Sequence, residues 1–254
     1  MRDGIAIRSL RTQGELDACV ELQRDTWGRD FHDTVPASIL QVSQKVGGVS
    51  AGAFTRDGRL VGFVFGLTGV ENGKVVHWSD MLAVRPEARN KGVGRRLKEF
   101  QRRAVAKAGG KVIYWTYDPL VARNAHLNFN VFGVQAVKYV RDMYGENTGS
   151  DLHRGIGTDR LIVAWAVRPA KAARRPKRAI APTRDDVTIR IPADITALLA
   201  SDPAAAASWR RSTRREFEAA FADGCTVVGF HMEGERGVYV MRRAPKRSRA
   251  PRAR

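Results

Sequence analysis

The sequence predicts a mixed α/β fold, in which a mostly antiparallel central sheet is flanked by helices and followed by a small α+β C-terminal unit. Strand-like apolar runs and amphipathic helices alternate along the first two thirds of the chain. Some of these strands form hairpins, which argue against an all-parallel doubly wound sheet. A basic, proline-containing segment then separates a shorter second set of elements.

The first half of the chain contains hairpin strands behind two helices. The expected elements are a strand, two helices and three strands, at 5–9, 13–27, 36–46, 49–55, 60–68 and 74–84. In the first helix Leu16, Val20 and Trp27 recur near helical spacing. The turn Arg56-Asp57-Gly58 suits a tight hairpin between the second and third strands.

The strongest helical pattern follows the last of these strands, at 91–108. Its apolar stripe consists of Val93, Leu97, Phe100, Ala104 and Ala108, with Arg and Lys on the other face. The remaining elements alternate again: strand 111–116, helix 121–132 and strands 134–140 and 160–167, then strand 187–191, helix 202–222 and a hairpin of 225–231 with 237–241.

Basic segments suggest the domain boundaries. We expect a first domain at 1–168, a linker at 169–184, a small α+β unit at 185–243 and a tail at 244–254. Residues 168–184 hold seven Lys/Arg and residues 244–254 hold five, without acids, out of a net charge of +18. Such blocks are typical of solvated linkers and tails. They also leave open weak, non-specific binding of polyanions.

Composition excludes several classes of protein. Of the 254 residues 43% are hydrophobic and 28% charged, as in globular proteins. The longest apolar run, 60–70, is too short to span a membrane. The first residues lack the pattern of a signal peptide, and Cys19 and Cys225 form no metal or disulfide framework. We therefore expect a cytoplasmic protein without a metal site or membrane contact.

The most informative segment is 81–97, where a strand runs through a short loop into the amphipathic helix. Gly92 and Gly94 stand at the helix start, where backbone N–H groups are unpaired and the helix dipole is positive. Four cations surround them, namely Arg89, Lys91, Arg95 and Arg96. This combination suits a pyrophosphate. The dinucleotide fingerprint does not fit, because Leu97 stands at its third glycine, and no Walker loop is present.

The pattern Val84-x-Pro86-x-x-Arg89-x-x-Gly92-x-Gly94-x-x-Leu97 closely resembles the acyl-CoA signature of GCN5-related N-acetyltransferases (GNAT). The resemblance covers about residues 4–168, and further short motifs resemble an uncharacterised bacterial branch of predicted acetyltransferases. It implies acetyl-CoA or another acyl-CoA as co-substrate. The residues that it places against CoA are Leu82, Ala83, Val84, Arg89, Asn90, Lys91, Gly92, Val93, Gly94, Arg95, Arg96 and Asn124.

The resemblance also implies a mechanism of direct attack by an amine on the thioester. Backbone N–H groups near Leu82 and Ala83 would stabilise the oxyanion. Asp80 shares a strand face with Leu82 and is our candidate general base. His77 would face the opposite side unless a β-bulge intervenes.

A general acid is harder to identify. Many family members carry a tyrosine four residues before the glycine that ends the later helix. Counting back from Gly133 gives Phe129, which has no proton to donate. Tyr144 is our substitute candidate, with a packed aromatic residue as the alternative reading.

The sequence thus predicts an acyl-CoA-dependent N-acyltransferase, most simply an acetyltransferase, acting on a small-molecule amine. Two alternatives stay open. One is a non-catalytic acyl-CoA-binding module, which the missing tyrosine favours. The other is a nucleic-acid-associated protein in which the basic segments dominate.

Overall fold

A computed structural model describes residues 4–168 and 180–243 of the chain. The strands of these ranges are β1 Ala6–Ser9, β2 Val49–Phe54, β3 Leu60–Glu71, β4 Lys74–Val84, β5 Val112–Tyr117, β6 Gln135–Val140, β7 Arg160–Ala166, β8 Val187–Pro192, β9 Cys225–Glu233 and β10 Arg236–Arg243. The helices are α1 Gln13–Trp27, α2 Ala37–Lys45, α3 Val93–Lys107, α4 Ala122–Ala125, α5 Ile195–Ser201 and α6 Pro203–Ala222. Helix α4 continues as a π-helix, His126–Phe132, and a 3-10 turn spans Pro86–Ala88.

Seven strands form the main sheet, in the order β1-β2-β3-β4-β5-β7-β6, and three form a second sheet, β8-β10-β9. Neighbouring strands are antiparallel except β4 and β5. The predicted fold class, a mostly antiparallel mixed sheet flanked by helices with a small C-terminal α+β unit, is therefore confirmed.

Strands β4 and β5 part after a short parallel contact. They pair only from Val76 to Trp78, opposite Val112 to Tyr114. A bulge follows immediately in β4: Ser79 lies opposite Gly66 and Met81 opposite Phe65, so Asp80 is an extra residue. A bulge bends a strand and re-aims its side chains. The main sheet therefore has an opening at its centre, and Asp80 lies at its edge.

Helices cover both faces of the main sheet. On one face α1 and α2 bury Leu16, Leu22 and Leu40 against Phe63 and Phe65 of β3. Helix α1 begins where the Thr12 side chain accepts a hydrogen bond from the Glu15 N–H. On the other face α3 packs Leu97 and Val105 into a second apolar cluster. Burying each such leucine stabilises the fold by about 1.5–3 kcal/mol.

The small C-terminal unit belongs to that second cluster. Phe217 of α6 stacks on Tyr139 of β6, with 5.2 Å between ring centroids. The Tyr239 hydroxyl donates to the Pro119 carbonyl at 2.7 Å. Arg210 pairs with Asp118 at 2.5 Å between nitrogen and oxygen, and the Arg210 side chain is buried. The unit therefore packs on the main sheet through both apolar and ionic contacts.

The structure corrects three details of the sequence prediction. The buried residues of α3 are Val93, Leu97, Lys98, Gln101 and Val105, while Ala108 is exposed. The predicted single helix at 121–132 is a short α-helix that widens into a π-helix. Helix α5 was not predicted, although Asp194 caps it by accepting from the N–H groups of Thr196 and Ala197.

The proposed domain boundaries remain a prediction. Most of the expected linker, residues 169–179, and all of the expected tail, residues 244–254, lie outside the described residues.

Candidate active site

The loop between β4 and α3 sets the start of the helix. After the 3-10 turn, Asn90 and Gly92 take positive φ values of 59° and 72°. Gly92 is the N-cap residue and makes no side-chain capping hydrogen bond, and no acid lies in the first turn of α3. Unpaired N–H groups and the positive end of the helix dipole are therefore available to an anion.

The two glycines of the motif serve different purposes. Gly92 needs its left-handed conformation, which most side chains disfavour. Gly94 does not adopt a left-handed conformation. A Cβ added to it would lie 3.8 Å from Val84 Cγ2 and 3.9 Å from Leu82 Cδ2, which are ordinary van der Waals distances. The protein itself would thus accept a side chain at Gly94. Its absence leaves the first turn of α3 open to a ligand.

The cations of the motif lie in different environments. Arg89 is exposed, and its Nε donates to the Val84 carbonyl at 3.0 Å. Arg96 turns the other way and donates to the Ile5 carbonyl at 2.6 Å. Lys91 and Arg95 are exposed beside the helix start. Of the other predicted contacts, Val93 and Ala83 are buried in the core.

A cavity of about 830 Å³ lies at the opening between β4 and β5. It is lined from both faces of the sheet. Thr26, Trp27, Phe31 and Asp33 line it from the α1 side, and Lys98, Asn124, Leu127, Asn128 and Phe132 line it from the side of α3 and α4. Helix α5 of the C-terminal unit adds Ile195 and Leu199. Leu82 connects the cavity with the α3 start, because its side chain also faces Gly94.

Asp80 lines this cavity at the bulge of β4. Asp80 is exposed to the cavity, but the surrounding protein partly desolvates its carboxyl group and raises the pKa of that group, and the negative charge of Asp33 raises it further. Among the residues that the structure describes, neither Asp80 nor Asp33 forms an ion pair with a Lys, Arg or His. A cation that enters the cavity can therefore pair with Asp80.

Tyr144 lines the same cavity, from the turn after β6. Its hydroxyl lies 2.9 Å from Thr116 Oγ1, and the Arg160 guanidinium lies 5.3 Å from its ring centroid. Tyr144 is 38% exposed, and partial desolvation by the cavity wall is the main cause that raises the pKa of its phenol. The structure thus brings the two catalytic candidates, a carboxylate and a protonated phenol, into one cavity.

His77 and Phe129 lie outside the cavity lining. The bulge at Asp80 puts His77 on the face that packs on α3, where its ring is buried between Thr68 and Gln101, 3.0 Å from each. Burial lowers the pKa of His77 to about 4. Phe129 points into the core, with edge contacts to Tyr117 and Tyr239.

Among the cavity-lining residues that sequence reasoning missed are Asp33, Ser79, Lys98 and His153. His153 accepts from Arg160 at 2.8 Å, and burial lowers its pKa to about 4. Lys98 is buried and donates to the Ser79 hydroxyl. No motif marks these residues, since a lone lysine or histidine on an amphipathic pattern indicates a surface position.

Comparison with known proteins agrees with this geometry. Residues 16–128 match the acetyltransferase (GNAT) family. That range contains β4, its bulge and the glycines of α3, so the family resemblance inferred from the sequence is confirmed there. A search of curated proteins finds no relative that matches this chain.

Solved acetyltransferases share the fold. The crystal structure of aminoglycoside 6′-acetyltransferase type Ii is 20% identical, with a TM-score of 0.51 over 65% of this chain and 99% of that one. The NatC complex bound to Gag peptide and CoA is 13% identical, with a TM-score of 0.51 over 64% and 98%. Ard1 from Thermoplasma volcanium is 11% identical, with a TM-score of 0.50 over 65% and 99%. At these identities the likeness shows the fold alone.

The described part of the chain lacks two features, a cluster of metal ligands and a membrane-spanning helix. No group of three or more His, Cys, Asp or Glu side chains there could hold a metal ion. No helix in the same ranges has the length and hydropathy needed to cross a membrane.

Proposed function

We propose that this chain, whose residues 16–128 match the GNAT family, is an acyl-CoA-dependent N-acyltransferase that acts on a primary amine, with acetyl as the simplest acyl group. One observation carries the proposal. The opening between β4 and β5 joins an uncapped helix start to a cavity that holds Asp80 and Tyr144.

The helix start fits the pyrophosphate of CoA. Gly92, Val93 and Gly94 would offer backbone N–H groups, and Lys91 and Arg95 would add positive charge. The open space above Gly94 supports this assignment, because the protein's own packing does not require a glycine there. Leu82 and Asn124 line the cavity where the acyl end would lie. When bound, the thioester supplies an activated acyl carbon.

The exposed edge of β4 would stabilise charge on the acyl oxygen. Beyond Trp78 this strand has lost its pairing with β5. Alternate N–H groups there point to the open edge, so one of Leu82 and Ala83 can donate to the oxygen.

Asp80 and Tyr144 would handle the protons. An amine reaches the cavity as an ammonium ion, and Asp33 and Asp80 attract it. Asp80 takes its proton, the nitrogen forms a bond to the acyl carbon, and the carbon–sulfur bond breaks. Tyr144 gives its proton to the departing thiolate, and the phenolate regains a proton from the second one that the acylated nitrogen loses as the amide forms.

Release of free CoA thiol from acetyl-CoA, measured with a panel of amines, tests the proposal. We expect amine-dependent release that Asp80→Asn reduces by about 100-fold or more. Asp57→Asn, in the exposed β2–β3 turn, should leave it unchanged. If the chain binds acyl-CoA but no amine promotes release, the non-catalytic acyl-CoA-binding alternative is correct.

A further inference from the structure

Lys98 is a lysine that lies buried inside the fold. It lies on α3 with 3% of its surface exposed. Its Nζ donates to Ser79 Oγ at 2.7 Å and lies 3.8 Å from the centroid of the Trp115 ring. Among the residues that the structure describes, no Asp or Glu forms an ion pair with it.

Folding alone does not account for this residue. Burying an ammonium group without an opposite charge is costly, and burial lowers the pKa of Lys98 well below its ordinary value. A methionine of similar length could fill the same space without that cost. A ligand that brings a negative charge to Nζ would remove the penalty.

The position of Lys98 points to the acyl group as the source of that charge. The last paired residues of β4 and β5 are Trp78 and Tyr114, so Ser79 and Trp115 stand where the strands part. Ser79, Lys98 and Trp115 all line the cavity. An acyl chain that enters between the two strands can therefore reach Nζ.

We propose that Lys98 is a donor-specificity residue, whose amine binds the terminal carboxylate of a dicarboxylic acyl group. The chain then uses an ω-carboxyacyl-CoA, such as succinyl-CoA, in preference to acetyl-CoA. This inference rests on the proposed function, because it names the donor class of the same site.

The local chemistry suits one carboxylate. The ammonium form of Lys98 has three N–H donors, of which Ser79 accepts one and the Trp115 ring faces another, so one remains for a carboxylate oxygen. The ion pair would form in a buried setting, where charge-assisted hydrogen bonds are strong. Trp115 is held beside it, because its Nε1 donates to Asn128 Oδ1 at 3.1 Å.

A comparison of three acyl donors distinguishes the effect of the carboxylate from the effect of acyl chain length. The donors are succinyl-CoA, butyryl-CoA and acetyl-CoA. Butyryl has the four carbons of succinyl but a methyl group in place of the carboxylate. We expect the wild-type chain to prefer succinyl-CoA over butyryl-CoA in kcat/KM by roughly 10- to 100-fold, as for a hydrogen bond to a charged group.

Lys98→Met should remove this preference. The kcat/KM for succinyl-CoA should fall by roughly 10- to 100-fold, and the values for butyryl-CoA and acetyl-CoA should stay within about threefold. Lys107→Met, on the exposed last turn of the same helix, should leave all three unchanged. Equal losses for all three donors would overturn the proposal, since Lys98 would then act on the shared thioester.

Calorimetry with the wild-type chain gives a test that needs neither turnover nor a variant. Succinyl-CoA should bind more tightly than butyryl-CoA, and equal dissociation constants would overturn the inference. If tighter binding is seen but no amine releases CoA, the inference stands and the proposed catalytic function fails. If amines release CoA from all donors at equal rates, the function stands and the inference fails.

Discussion

Asp80 reaches the cavity because β4 contains one extra residue. The bulge reverses the alternation of the strand, so His77 and Leu82 share a face although they are five residues apart. Strict alternation would have placed His77 opposite to Leu82. The bulge thus buries His77 under α3 and leaves Asp80 as the carboxylate at the opening.

Asp33 should tune the acid–base behaviour of Asp80. Its charge raises the pKa of Asp80, so Asp33→Asn should lower that pKa. A general base works when deprotonated, so the acidic limb of kcat/KM against pH should move to lower pH. Asp17→Asn, exposed on α1, should leave the profile in place. If the acidic limb of the Asp33→Asn profile moves to higher pH or stays in place, Asp80 is not the base.

Tyr144→Phe removes one hydroxyl group and tests the general acid. If the phenol reprotonates the thiolate, kcat should fall by about 100-fold while the dissociation constant of CoA holds. Tyr114→Phe is the matched control, because that hydroxyl contacts Glu71 outside the cavity. Phe129→Leu should cost only packing, about 1 kcal/mol in the free energy of unfolding. Wild-type rates in Tyr144→Phe across the pH range would assign the proton to water or substrate.

At the scale of elements, the pattern of the sequence predicted most helices and strands. Helix α1 and strand β4 have the predicted bounds, because local periodicity and capping determine them. The buried stripe of α3 was wrong in part, since Gln101 and Lys98 are buried through partners on β4. Such contacts depend on tertiary packing, which no local pattern contains. The glycines of α3 were visible in the sequence, whereas the cavity and Lys98 were not.

The assignment of the α3 start as the pyrophosphate site can be tested by adding a negative charge there. Gly94→Glu places a carboxylate above the first turn, where the packing accepts a side chain. Repulsion of the pyrophosphate should weaken CoA binding by about tenfold or more. Gly69→Glu, on an exposed and uncrowded part of β3, adds the same charge elsewhere and should bind CoA normally. Unchanged CoA affinity in a folded Gly94→Glu protein would refute the assignment of this helix.

The C-terminal unit contributes to the lining of the cavity as well as to the core of the molecule. Phe217 and Tyr239 share an apolar cluster with the main sheet. Ile195 and Leu199 of α5 line the cavity. The unit therefore helps to shape the cavity, a contribution that its sequence alone did not indicate.

The basic tail at 244–254 should be dispensable for catalysis. Its composition predicts a solvated segment, so its deletion should leave the melting temperature and the kinetics with a small amine unchanged. The deletion should reduce any salt-dependent binding to random DNA. Loss of activity with a small amine would instead assign the tail to the site.

The most direct test of the central claim is a crystal structure of the chain with CoA. We predict the pyrophosphate on the first turn of α3, at Gly92 to Gly94, and the pantetheine between β4 and β5. The thiol should then lie in the cavity that Asp80 and Tyr144 line. CoA bound away from the α3 start, or with its thiol outside the opening of the sheet, would contradict the proposed function.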